Sequence, residues 1–243
     1  MSDTIRIALV AEGITDYDVL NAAIESMLGG RSFDLKLLQP EGSVAFIGSG
    51  EAGEFGGGWK GVYRWCHQAV ARSEGQLRDD PLFLGYDLLL IHLDADVAGE
   101  DPADSLPELA ALLPCAQPCP PSNATTDALR KVLLGWVGET QVPPRTVLCT
   151  PSKSTEAWDM GVFFPSDKEM LKHGFECYAK PENRLGQQPL RQRFAKTHSD
   201  YAARALAIQA GWPSVVDRLT EAHRFQADFM AAVSLAESWG SGM

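Results

Sequence analysis

An apolar run, Asp87-Leu88-Leu89-Leu90-Ile91-His92-Leu93, ends in two carboxylates, Asp94 and Asp96, spaced i and i+2. Such a Leu/Ile run reads as a strand buried on both faces, as in a parallel sheet. Side chains two apart share one face of a strand. Asp94 and Asp96 are therefore expected side by side just past the strand's carboxyl end, where open α/β sheets keep their ligands. Neighbouring carboxylates repel unless a hard cation or a shared proton relieves them. Taken alone, the pair fits a turn cap beside a solvated acid better than a metal pair.

Two other strand ends carry acids. Ile5–Val10 reads as the first strand and runs into Glu12-Gly13-Ile14-Thr15-Asp16. Val19, Leu20, Ala23, Ile24, Met27 and Leu28 then recur at helical spacing up to Gly29-Gly30. Thr15 is the expected N-cap with Asp18 in the capping-box position, and Asp16 would at least complement the helix dipole. Pro143-Pro144 introduces a strand over 145–150, whose exit reads Lys153-Ser154-Thr155-Glu156 with Ser154 placed to cap a helix. Parallel strands separated by helices bring their carboxyl ends to one edge. Acids converging there, with Lys153 alone in the motifs to neutralise them, call for metal. Oxygen-only ligands select Mg²⁺ or Mn²⁺, and two such ions ~3.5–4 Å apart serve in-line phosphoryl transfer.

The remaining elements frame these motifs. Phe33–Leu38 reads as a second strand. Residues 41–61 are glycine-rich but match neither GxGxxG nor a Walker pattern, so they read as a surface loop in which Lys60 is an alternative phosphate contact. Helices are expected over about 60–73, 103–113, 126–137 and 189–209, with a last one starting at Pro213, while 166–190 reads as irregular and basic. Between Lys168 and Arg204 eight Lys/Arg face four acids, an excess that suits either phosphate contact or a solvated face.

Composition bounds the class. With 243 residues, 45% hydrophobic and 22% charged, the chain is ordinary for a globular protein. A net charge of −11 argues against a surface built for non-specific nucleic-acid binding. The N-terminus leads straight into a strand and no apolar stretch approaches ~20 residues, so neither a leader segment nor a membrane span is expected. Five scattered cysteines suit a reducing cytosol, and a cytoplasmic location is expected. Cys115 and Cys119 lack a second pair at zinc spacing and are expected to be free thiols in a Pro-rich loop.

Glu12-Gly13-x-Thr15-Asp16 after the first strand, then Asp94-x-Asp96 after a later one, resembles the TOPRIM fold. Ser154-x-Glu156 followed by Ala157-Trp158 is similar, more narrowly, to the OLD-type nuclease branch and to small stand-alone TOPRIM proteins of prokaryotic defence loci. The resemblance covers residues 4–165. It implies an α/β domain over 1–165, a TOPRIM-like parallel sheet flanked by helices, with 166–243 a basic segment and helical appendage packed on it or on a partner. It implies a nuclease using two Mg²⁺ or Mn²⁺ ions. Glu12 would be a metal ligand or general acid/base, supported by Asp16. Asp94 and Asp96 would hold metal, Ser154 and Glu156 would serve a second ion, and Lys180 or Lys196 would steady transition-state charge, with Lys153 as a third option. OLD proteins join this domain to an ATPase, and no Walker motif occurs here, so a separate ATPase chain is the implied partner beside the nucleic-acid substrate, DNA rather than RNA.

Two other readings remain: a non-catalytic interaction module of the same fold, and a metal-dependent phosphatase using Asp94 as nucleophile. The second would be expected to carry its DxD after the first strand. Oligomeric state is open, and an apolar face on the last helix is where a second copy would sit.

Overall fold

The computed structural model describes residues 4–41, 55–99 and 113–240. Four parallel strands form one sheet: β1 (Ile5–Val10), β2 (Phe33–Gln39), β3 (Leu88–His92) and β4 (Thr146–Cys149), in the order β2-β1-β3-β4. Each strand is followed by helix before the chain returns, as parallel pairing requires. Register sets Ile7 opposite Leu88 and Leu89 opposite Thr146. The ends of β1, β3 and β4 thus lie on three neighbouring strands.

Period-two alternation divides the sheet's side chains between two cores. One face (Ile7, Leu9, Leu88, Leu90, Val147) packs against α1 (Ile14–Leu28), α4 (Glu156–Phe163), α8 (Ala205–Arg218) and α9 (Thr220–Gly240), with Trp158, Trp212 and Phe225 in mutual ring contact. The other (Ala8, Val10, Leu89, Ile91, Leu148) packs against Trp59, Val62 and Trp65 of α2 (Gly58–Arg72) and Leu129, Leu133 and Trp136 of α3 (Asn123–Trp136). All five residues of β3 are buried, which is why its sequence shows no polar alternation. Residues from 166–243 supply much of the first core: α8 packs on α1 and α4, and α9 on β4. At the outer edge, Arg130 donates to the Leu148 carbonyl at 2.7 Å and covers part of β4.

Several boundaries differ from expectation. The helix expected over 189–209 is broken: irregular turns run through 187–197, and only α7 (His198–Ala202) and the start of α8 are helical. Thr197 is extended, and the Ala195 N–H turns to the Asp200 carboxylate at 2.7 Å instead of a helical carbonyl. Pro213 lies inside α8, and the break falls at extended Leu219. Glu176 accepts the freed N–H groups of Thr220 and Glu221 there, at 2.9 and 2.6 Å. The segment read as irregular, 166–190, contains α5 (Lys168–His173), capped by Asp167, and α6 (Pro181–Gly186). Residues 103–112 of the helix expected over 103–113 and residues 42–54 of the glycine-rich stretch lie outside the described residues.

Cys119 is not a free thiol. It forms a disulfide with Cys177, 58 residues away, at a Cα–Cα distance of 5.4 Å that suits the bond. Spacing with Cys115 gave no sign of this, because the partner lies in a segment brought near only by the tertiary fold. Cys115 is free and exposed. Among the described residues no helix is long and apolar enough to cross a membrane.

Candidate metal centre

Three strand exits build the centre. At the β1 exit, Gly13 rather than Thr15 caps α1, because the Asp16 carboxylate accepts the Gly13 N–H at 2.9 Å. That bond turns Asp16 back over the start of the helix. Its other oxygen accepts from Thr155 Oγ1 at 3.1 Å, so one carboxylate joins the β1 and β4 exits. Asp18 points elsewhere and pairs with His198 at 2.9 Å. Glu12 Oε1 accepts the Asp94 N–H at 2.8 Å, which joins the β1 and β3 exits.

At the β3 exit the strand stops at His92, so the two-residue alternation does not carry Asp96 alongside Asp94. A 3-10 turn over Ala95–Val97 leaves Asp96 exposed, its N–H bonded to the Lys153 carbonyl at 2.9 Å. The residue that shares Asp94's surroundings is His92. His92 is fully buried, with Nε2 3.1 Å from Asp94 Oδ1 and Nδ1 3.9 Å from Asp16 Oδ2. One oxygen each from Asp16 and Asp94 and one imidazole nitrogen lie within 4.8 Å of one another. His92 was legible in the sequence only as part of an apolar run. Its i−2 relation to Asp94 was the signal that it faces the same side.

At the β4 exit, Lys153 adopts φ +82°, a left-handed conformation uncommon for lysine. The chain then enters α4 with Ser154, Thr155 and Glu156 buried. Ser154 does not cap the helix through its side chain, and its Oγ has no hydrogen-bond partner. Glu156 accepts from Tyr201 Oη at 3.2 Å and pairs with Lys196 Nζ at 3.3 Å. Lys196 is therefore the lysine that reaches the centre. Lys180 is exposed at the start of α6, away from these contacts. One turn past Glu156, Asp159 is fully buried with both oxygens unpartnered, another acid the motif reading passed over.

The electrostatics follow from burying like charges together. The Glu12 carboxyl is held well above the usual carboxylate range by burial, then by Asp94 and Asp16. Asp94 is raised well by burial, then by Asp16, Glu156 and Asp96. Asp16 is raised by burial against the opposing pull of His92, and Asp159 is raised well by burial and by Glu156. Burial pulls the Lys196 ammonium down, but Glu156, Asp16 and Asp94 outweigh it and its pKa is raised. One exposed cation thus faces several acids.

A divalent cation fits this donor set. The carboxylate oxygens are those a hard ion takes. The orphaned atoms (His92 Nδ1 and Nε2, Asp94 Oδ1, Ser154 Oγ) are buried polar groups of the kind that ions satisfy. The chain matches no protein-family model, no curated protein and no solved structure.

Proposed function

We propose that this protein is a metal-dependent nuclease of TOPRIM type, close to the OLD branch, that hydrolyses nucleic-acid phosphodiesters, DNA before RNA. The observation that supports it best is the meeting of Glu12, Asp16, Asp94 and Glu156 from three adjacent strand ends, with Lys196 beside them. Asp16 and Asp94 would hold a first ion, Mg²⁺ or Mn²⁺. Glu12, Ser154 and Glu156 would be the donors for a second, with Asp96 turned to the surface. Bound there, such ions supply an activated water and charge stabilisation for the leaving oxygen.

The chain's own residues account for the rest. Glu12, its carboxyl raised by burial and held in position by the Asp94 N–H, would hold the proton taken from water. Lys196, two-thirds exposed, can leave Glu156 for a phosphoryl oxygen. Helix α1 directs its N-terminal dipole at the same edge. The net charge of −11 favours nucleic acid delivered by a second chain, an ATPase in the related arrangement, acting in prokaryotic defence.

The pairing of Glu156 with both Lys196 and Tyr201 supports a second reading. It neutralises one acid without metal, as a non-catalytic interaction module would. Cleavage of plasmid and single-stranded DNA in Mg²⁺, Mn²⁺ or EDTA, by wild type and Asp94→Ala, separates the two. Metal-dependent cutting lost in a folded Asp94→Ala supports the nuclease. No cutting by wild type, even with an ATPase partner present, supports the module.

A further inference from the structure

We infer that His92 is a direct nitrogen ligand of the ion at this centre, and that the site therefore takes a first-row transition ion of the Mn²⁺ kind in preference to Mg²⁺. The inference rests on the reading of the cluster as a metal site and names the ion it selects.

The geometry of the ring carries the argument. His92 ends a strand whose other residues are apolar, and it has no solvent exposure. A buried imidazole is ordinarily satisfied through both nitrogens. Here neither has a hydrogen-bond partner. Nε2 lies 3.1 Å from Asp94 Oδ1, close enough for a hydrogen bond, yet both atoms are unpartnered, so the N–H direction misses the oxygen. Two electron-rich atoms facing one space at that distance repel, and a shared cation removes the repulsion. The spacing also agrees with this: adjacent donors on an octahedral ion with bonds of ~2.1 Å stand about 3.0 Å apart.

The second nitrogen completes the pattern. Nε2 faces Asp94 and Nδ1 faces Asp16 at 3.9 Å. With Nε2 on the ion beside Asp94, Nδ1 is left on the Asp16 side at a distance too long for a direct hydrogen bond. Thr155 Oγ1 and the Gly13 N–H hold Asp16, which fixes that side of the ring.

Donor chemistry then chooses the ion. Mg²⁺ takes oxygen and gives up water reluctantly, so a buried nitrogen is a poor ligand for it. Imidazole suits first-row transition ions, and among these Mn²⁺ is the one that also favours the carboxylates making up the rest of the site.

The experiment uses the tag-free full-length protein. Pulsed electron paramagnetic resonance of bound Mn²⁺ reports nitrogen directly coordinated to the ion, and competition calorimetry reports the preference for Mn²⁺ over Mg²⁺. Expected are a ¹⁴N coupling in wild type that changes to a ¹⁵N pattern when histidine alone is ¹⁵N-labelled, and tighter binding of Mn²⁺ than of Mg²⁺. His92→Gln should lose the coupling and most of that preference. The isotope exchange needs no variant, so a poorly folded His92→Gln does not decide the matter. Mn²⁺ bound with no nitrogen coupling overturns the ligand assignment and leaves a carboxylate metal site in place. No binding of Mn²⁺ at millimolar concentration overturns both.

Discussion

The Asp94 N–H donates to Glu12 Oε1 at 2.8 Å across 82 residues of sequence. This bond joins the exits of β1 and β3 and fixes a carboxyl group that burial and the neighbouring Asp94 and Asp16 carboxylates hold well above its usual range. A group so placed both orients the centre and burdens it with charge.

Glu12→Gln separates those roles. The amide oxygen still accepts the Asp94 N–H, so the fold persists, while the charge and the proton-accepting oxygen are lost. Metal-dependent cleavage should fall by about 10²–10⁴-fold, the usual weight of a general base. A circular dichroism spectrum matching wild type with unchanged cleavage would remove Glu12 from the chemistry.

Acids raised in the folded state bind protons more tightly there than in the unfolded chain. Their favourable contribution is complete below the unfolded pKa values, near 4, and is lost as pH rises through the folded ones. Glu12, Asp94 and Asp159 are all raised well. In EDTA the protein should therefore melt at a higher temperature at pH 5.5 than at pH 8. Mn²⁺ at 100 times its Kd should return about 2.7 kcal/mol at pH 8. A metal-free Tm that rises from pH 5.5 to 8 would contradict the burial of these charges.

Asp159→Asn isolates one of them. The amide keeps the shape and carries no charge, so at pH 8 the variant should be more stable than wild type. The gain should vanish near pH 4. Urea unfolding at the two pH values measures it, and an equal effect at both would mean packing, not ionisation, is responsible.

The two lysines give a paired test. Lys196 reaches Glu156 and Lys180 reaches none of these acids, so Lys196→Ala should lower cleavage by about 100-fold, in the range reported for loss of one charge-stabilising donor. Lys180→Ala should leave cleavage unchanged. Equal losses in both variants would assign the effect to general electrostatics.

The sheet was readable in the chain because each strand is a short apolar run closed by a turn, and buried parallel strands have that signature. The acids at the strand ends were readable for the same reason. What escaped depended on contacts between distant segments. Thr15 looked like the cap, but Gly13 takes that position because Asp16, held between Gly13 and Thr155, accepts its N–H. Asp96 looked paired with Asp94 until a 3-10 turn rotated it outward, leaving His92 as the neighbour. Lys196 and Lys180 were indistinguishable in sequence. The irregular course of 187–197, which brings Lys196 to Glu156, has no periodicity to read.

The Cys119–Cys177 disulfide makes a last prediction, because it sits beside the residue that organises the far side of the centre. It closes a 58-residue separation, and the chain-entropy estimate for a loop of that length is about 4 kcal/mol. Adjacent Glu176 accepts from Ser122 Oγ, Thr220 N–H and Glu221 N–H, and its carbonyl accepts from Ser152 Oγ at 2.6 Å, two residues before Ser154. These bonds keep Glu176 in place without the sulfur bridge. Reduction should therefore lower unfolding stability by about 2–4 kcal/mol while Mn²⁺ affinity changes by less than about tenfold. Urea unfolding and metal titration with and without dithiothreitol, repeated on Cys119→Ser, make the measurement. A stability unaffected by reductant would mean the bridge constrains nothing in the unfolded chain. A collapse of metal affinity would mean that the bridge, rather than Glu176, holds the β4 exit.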